Sequence, residues 1–159
     1  MTDLSLRRYD PADADAVWDL HVRALRDAGG DDEASVHRDT DLRTVESEYI
    51  DSGGEFLVGE RGGEVVATGA FQPHLSDPEA VVLRRLRVDP ACQRRGYGTR
   101  VLHGLEARAR KRGFERVELD AALGQDAAVA FYEHHGYERI GREYVEPADT
   151  TLLFFEKSL

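Results

Sequence analysis

Apolar positions recur along the chain at two spacings. Alternation over short runs marks strands, and a return every third or fourth residue marks helices. Leu4-Ser5-Leu6-Arg7-Arg8-Tyr9 reads as a short strand. Asp10-Pro11 then opens a helix, with Asp10 as cap, Pro11 at its first position and Asp13 at the third. Ala14, Val17, Trp18, Val22 and Leu25 supply its apolar stripe, and Gly29-Gly30 ends it. Residues 31–38 are acidic and polar and read as loop. The pattern predicts a second helix over Asp41–Ser52, with Leu42, Val45, Tyr49 and Ile50 on one face and Gly53-Gly54 as the stop.

Strands are expected at 56–60 and 65–71, joined around Arg61-Gly62-Gly63 as a hairpin. Residues 72–78 hold two prolines and read as loop, and Val81–Val88 is the next strand, halted by Asp89-Pro90. A long helix follows from Gly96 to Arg112, with Val101, Leu102, Leu105 and Ala109 facing inward and Gly113 after it. A strand is expected at 116–120, a short helix capped by Asp126 and running to His135, and final strands at 137–144 and 151–156. The order is β-α-α-β-β-β-α-β-α-β-β. Hairpins mixed with helical connections indicate an α/β fold, a mixed sheet covered by helices. The crossover from 81–88 through the long helix to 116–120 makes those two strands parallel.

One domain over residues 1–159 is expected from the length alone. Hydrophobic residues make up 41% and charged residues 33%, as in a soluble domain, and no run reaches the length of a membrane span. Met1-Thr2-Asp3-Leu4 has no signal-peptide character, and the single cysteine, Cys92, leaves no internal disulfide or cysteine-cluster metal site. The expectation is a cytoplasmic protein. Net charge is −10, and 19 of the 21 basic residues are arginine. An acidic, lysine-poor composition matches salt-adapted proteins and equally suits a cationic partner. It argues against nonspecific nucleic-acid binding, which needs cations to neutralise phosphates. The segment from Arg84 to Arg116 nevertheless carries 11 basic and three acidic residues. Its +8 leaves −18 on the remainder, which points to a local site for an anion.

That site has a candidate. Gln93-Arg94-Arg95-Gly96-Tyr97-Gly98-Thr99 lies between a strand and a helix start. Unpaired backbone N–H groups and the helix dipole favour an anion there. Gly96 and Gly98 keep side chains out of the way, and Arg94 and Arg95 can add charge-assisted hydrogen bonds. A merely tight turn is the bland alternative. The Gly-Lys-Ser/Thr of a nucleotide-triphosphate loop is absent, and Val101 stands where a dinucleotide fingerprint needs a small residue.

Leu86-Arg87-Val88-Asp89-Pro90 followed by Gln93-Arg94-Arg95-Gly96-Tyr97-Gly98 resembles the acetyl-CoA motif of the GNAT superfamily of N-acetyltransferases. Ala128-Val129-Ala130-Phe131-Tyr132-Glu133-His134-His135-Gly136-Tyr137 is similar to its second block, and the likeness spans 81 to about 140. The resemblance implies the acyl-CoA N-acyltransferase fold and acetyl-CoA as co-substrate. It places the pantetheine arm along Leu86, Arg87 and Val88 as an added strand would lie. It counts Gln93 among the cofactor-binding residues and places the pyrophosphate on the amides from Arg94 to Thr99. The family often carries Asn seven residues before its tyrosine; here Gln125 stands there, with a longer amide to reach the cofactor.

By the same resemblance Tyr132 is the general acid. Yet Ala128, Phe131, Tyr132 and His135 share a helical face, so a packed core tyrosine with a hydrogen-bonded hydroxyl is the alternative. An amine of pKa ~10.4 is neutral in about one molecule in 2,500 at pH 7, so a base or a pocket must help. Glu118, Asp120 and His74 are nominees. His134-His135 point about 100° apart on a helix and suggest no metal site, and Cys92 is a bystander. Expected partners are a small-molecule amine or a protein N-terminus or lysine, with no nucleic acid and no membrane; a homodimer is left open. A noncatalytic acyl-CoA-sensing module on the same scaffold is the competing function.

Overall fold

The computed structural model describes residues 3–27, 40–146 and 149–159. Seven strands form one sheet: β1 (Ser5–Arg8), β2 (Glu55–Arg61), β3 (Glu64–Pro73), β4 (Ala80–Val88), β5 (Arg116–Ala122), β6 (Glu138–Val145) and β7 (Thr150–Ser158). Their spatial order is β1-β2-β3-β4-β5-β7-β6. The expected hairpin β2–β3 is present, turning on Gly62 and Gly63, both with positive φ. The crossover pair β4–β5 is parallel, and the last two strands form an antiparallel hairpin whose second member docks beside β5. The mixed α/β sheet is therefore the one the element order implies. No helix among the described residues is long and apolar enough to cross a membrane.

Alternation along the strands divides the core into two layers. Leu57, Ala67 and Phe71 pack under α2 (Tyr97–Lys111), against Val101, Leu102, Leu105 and Ala109. Phe56, Val58 and Ala70 point to the other face and meet Val17 of α1 (Ala14–Asp27) with Val45 and Tyr49. Each fully buried Val, Leu or Phe among them contributes about 1.5–3 kcal/mol. Asp10 caps as expected: it accepts from Ala12 N at 2.9 Å, and Asp13 returns the bond to Asp10 N at 2.8 Å.

Four local expectations need correction. Residues 41–52 do not form one α-helix; a 3₁₀ turn at Thr40–Arg43 leads to a wide π-type turn at Glu46–Ile50. Leu42, Val45 and Tyr49 still face the core, but the widened turn also brings the Tyr49 hydroxyl to Asp41. The α1 stripe is rotated. Val17, Leu20 and His21 are buried, Ala14 is exposed, and Trp18 turns toward the 40–43 segment, its ring covered by the Arg43 guanidinium at 4.0 Å. β3 runs on through Gln72 and Pro73, which pair with Val82 and Val81 where loop was expected. Asp126 is the first residue of α3 (Asp126–His134), not its cap; Gln125 holds that position without a capping bond. The expected end of α1 at Gly29-Gly30 and the acidic stretch 31–38 lie outside the described residues.

Candidate active site

β4 leaves its neighbour partway along. It pairs with β5 only from Ala80↔Arg116 to Val82↔Glu118, while its other edge follows β3 to Val88. A bulge bends it there: three steps from Arg87 to Arg84 oppose two from Thr68 to Ala70. Arg85 takes the left-handed conformation, φ 59°, and its carbonyl accepts from Thr68 Oγ1 at 2.9 Å. Opposite the bulge only glycine fits, since a Cβ at Gly69 would lie 2.5 Å from Val101 Cγ1 on α2. The strands thus splay, and the β5-facing edge of residues 83–88 opens onto two hollows.

The first hollow, about 450 Å³, lies between the end of β4, the start of α2 and one face of α3. It gathers Leu86, Val88, Gln93, Arg94, Gly96, Tyr97, Gly98, Thr99 and Tyr132 from the expected site. Gly96 has φ 78°, a conformation that favours glycine, and a Cβ there would meet nothing within 4 Å; its requirement is backbone freedom rather than space. None of the amides from Gly96 to Thr99 has a backbone acceptor among the described residues. Tyr97 is 1% exposed and anchors the helix start by donating its hydroxyl to Asp3, so its backbone rather than its phenol remains for a ligand. Arg95 is exposed and lines none of the hollows described here. Ala127, Ala128 and Phe131 complete the wall.

The second hollow, about 300 Å³, opens on the β5 side and shares Leu86, Ala128 and Tyr132 with the first. Arg84, Arg85, Arg87, Asp120 and Gln125 line it, so two residues expected at the cofactor, Arg87 and Gln125, face the neighbouring space instead. Both also border a third, outer hollow with Gln93 and the end of α1. Arg85 grips Asp41 with two bonds, 2.9 and 2.6 Å, and Asp41 accepts from Tyr49 as well. Burial pushes the Asp41 carboxyl up, but the hydrogen bonds from Arg85 and Tyr49 outweigh it and hold it below the usual carboxylate range. That triad ties the segment after residue 40 to the bulge. Nothing in the spacing of Asp41 or Arg85 announces it.

Tyr132 stands at the junction. Burial pushes its hydroxyl up to about 12; the charge of Arg87 lowers it and that of Asp120 raises it. Its hydroxyl makes no hydrogen bond among the described residues. Tyr137, whose ring centroid is 5.7 Å away, is the opposite case: its hydroxyl donates to the buried Glu106 at 2.8 Å, and Lys157 reaches the same carboxylate at 3.0 Å. A core tyrosine in this chain therefore has a carboxylate partner, and Tyr132 does not fit that description.

The three nominated bases separate. His74 Nδ1 accepts from Ser76 N and Asp77 N, both at 3.1 Å, and Nε2 lies 2.8 Å from Glu118 Oε2. These two residues occupy each other, and neither lines the two hollows that meet at Tyr132. Asp120 alone of the three lines the second hollow. Partial enclosure pushes its carboxyl up, and the charges of Arg84 and Arg85 pull it partway back. His135 Nε2 lies 3.1 Å from Thr99 Oγ1, and Cys92 is buried and lines the first hollow.

Comparison with known proteins agrees with this architecture. The model of the Acetyltransferase (GNAT) family matches residues 14–137. The IAA acetyltransferase of Azospirillum brasilense is 29% identical over 159 residues, all of both chains. N-acetyltransferase 8 of Mus musculus is 30% identical over 124 residues, 73% of this chain and 55% of that one. The chain spans about half the length of the vertebrate relatives it matches. Among solved structures, a GNAT-family acetyltransferase from Staphylococcus aureus Mu50 superposes with TM-score 0.84 at 16% identity, covering 98% of this chain and 99% of that one. The Salmonella typhimurium protein yncA, solved with its cofactor acetyl-CoA, gives 0.79 at 21% identity, covering 99% and 95%. These two establish the fold alone. With the family model covering residues 14–137, most of its length, this chain belongs to the GNAT acetyltransferase family.

Proposed function

We propose that the protein transfers an acetyl group from acetyl-CoA to an amine, with Tyr132 as the general acid. The observation that carries this reading is the Tyr132 hydroxyl at the junction of two hollows, without a hydrogen-bond partner among the described residues. The co-substrate supplies an activated thioester. The open edge of β4 at Leu86 and Val88 suits its amide-bearing arm, and the amides from Gly96 to Thr99, with Arg94 beside them, suit its pyrophosphate.

The acceptor nitrogen enters from the second hollow. As its bond to the carbonyl carbon forms and the carbon–sulfur bond breaks, Tyr132 gives its proton to the departing thiolate sulfur. Asp120 takes the proton that the nitrogen sheds, directly or through one water. A hydroxyl near pKa 12 stays protonated at neutral pH, so the proton is in place when the thiolate departs. The test is thiol release from acetyl-CoA across a panel of amines. Acceptor-dependent release that Asp120→Asn slows without changing CoA affinity supports the reading. CoA binding with no release from any amine would overturn it in favour of a noncatalytic acyl-CoA-sensing module.

A further inference from the structure

The acid-rich composition points to a cationic acceptor, but the second hollow is lined the other way. Its charged residues are Arg84, Arg85, Arg87 and one carboxylate, Asp120. Asp41 occupies Arg85 through two short bonds. Arg84 is held differently. It projects from the exposed side of β4, donates to the amide oxygen of Gln72 at 3.1 Å, and makes no ion pair among the described residues. It also lines the adjoining hollow of about 700 Å³ with Gln72, Glu48 and His74, so it stands where the acceptor's far end would emerge.

We propose that the acceptor is a small amine that also carries a carboxylate, of the amino-acid kind, with its carboxylate read by Arg84 and its nitrogen directed to Asp120 and Tyr132. This rests on the acetyltransferase reading and narrows its substrate. The geometry supplies both ends of a zwitterion. Asp120 attracts the ammonium beside Tyr132, and a guanidinium at the mouth offers a planar fork matched to a carboxylate. Arg84 and Asp120 line the same hollow of about 300 Å³, which sets the two poles within reach of one small molecule. A hollow of about 300 Å³ lies at the small end of ligand sites, which suits such a molecule better than a folded protein surface. A diamine of equal length would put its second cation against Arg84 and Arg87. Gln72 yields readily, since exchanging an amide for a carboxylate strengthens the bond Arg84 makes.

The experiment compares three matched acceptors: amino acids, their carboxamides, and the amines left after removing the carboxyl group. Thiol release and calorimetric binding to the CoA-loaded protein are read for the wild type, Arg84→Gln and Arg84→Lys. The expected result is a preference for the amino acid of about tenfold or more in kcat/KM, carried by KM. Arg84→Gln should erase that preference and Arg84→Lys restore part of it, with melting temperature and CoA affinity unchanged. Equal or better use of the carboxamide or decarboxylated amine, or a preference that survives in Arg84→Gln, would overturn the proposal. Carboxylate-selective binding that depends on Arg84 but releases no thiol would leave this assignment standing and overturn the catalytic reading instead.

Discussion

The two hollows that meet at Tyr132 are built from different materials. The first is presented by main chain: the open edge of β4 at Leu86 and Val88, the left-handed Gly96, and helix-start amides held in place because Tyr97 is anchored in the core. The second is presented by side chains, Arg84, Arg85, Arg87 and Asp120, and is braced by Asp41 from a segment more than 40 residues earlier. A main-chain site is specified by where glycines, turns and strand ends fall, so it leaves a spacing in the sequence. A side-chain site is specified by which distant residues the fold brings together, and it leaves none. The difference predicts that damage to one side should change cofactor affinity, damage to the other acceptor use, and damage at the junction turnover alone.

Tyr132→Phe tests the junction and should give the largest effect. It removes one oxygen and keeps the ring against Phe131 and Tyr137. A placed general acid is worth roughly 10²–10⁴-fold, so kcat should fall by that much while CoA affinity stays within about twofold. Tyr137→Phe is the paired control. It takes one of two partners from the buried Glu106, leaving Lys157, and should cost about 1–3 kcal/mol of stability with kcat per folded molecule nearly intact. A near-normal kcat in folded Tyr132→Phe would remove the general-acid role.

Asp41→Asn should come next, on the acceptor side. The change weakens both bonds to Arg85 and the bond from Tyr49, for about 1–3 kcal/mol of stability, and loosens the bulge that shapes the second hollow. Acceptor KM should rise several-fold while CoA affinity holds. The pH dependence has a fixed sign. The native Asp41 carboxyl sits below its ordinary value of 3.8, so its contribution is present above 3.8 and is lost as pH falls through the native value. The melting-temperature gap between wild type and Asp41→Asn should therefore close in strong acid, and a gap that persists there would show that the carboxylate's charge is not what braces the bulge.

The same contrast explains how much could be read from the sequence. The succession of strands along the chain, the parallel β4–β5 pair and the loop before α2 are legible because Asp89-Pro90, Gly96, Gly98 and Gly113 punctuate regular apolar periods; the docking of β7 between β5 and β6 is not. Residues 41–52 read as one helix because their apolar period suits any helical winding; the bonds that Asp41 makes to Tyr49 and to Arg85, distant in sequence, leave no such period. Glu118 and Asp120 both lie on the strand beside β4, so the sequence nominates both as base, with His74 from the segment after β3, and does not choose among them. Only the fold shows that His74 occupies Glu118. The α1 face differs for a similar reason: Trp18 reads as core by its chemistry, yet its ring lies under the Arg43 guanidinium of the 40–43 segment.

Gly96→Ala sharpens the cofactor side with a smaller effect. An L side chain held at φ 78° costs about 1 kcal/mol, and the hollow has room for the methyl group. Strain rather than collision is then the consequence. Relief of that strain would turn the amides of Tyr97 and Gly98 away from a common point, and CoA affinity should fall about fivefold with acceptor KM unchanged. Calorimetry against CoA reads the first, and initial rates at saturating acetyl-CoA read the second. An acceptor KM that moved with CoA affinity would mean that the two hollows do not act separately.

The arginines of the loop should matter least one at a time. Arg94 lines the first hollow while Arg95 stands in solvent, and exposed charge pairs are each worth little after screening. Arg94→Ala should weaken CoA by less than about fivefold, and Arg95→Ala by less still. If main chain supplies most of the phosphate site, the double replacement should do little more than add the two small losses. It should also leave binding of a pantetheine fragment, which carries no phosphates, where it was. Raising ionic strength should shrink the loss further for CoA and leave the fragment unaffected. A loss of a hundredfold or more for CoA would mean that side chains, not helix-start amides, dominate on this side too, and the division between the hollows would fail. Equal losses for CoA and the fragment would place the arginines in folding rather than in binding. Titrating both ligands against the double variant at two salt concentrations distinguishes these outcomes.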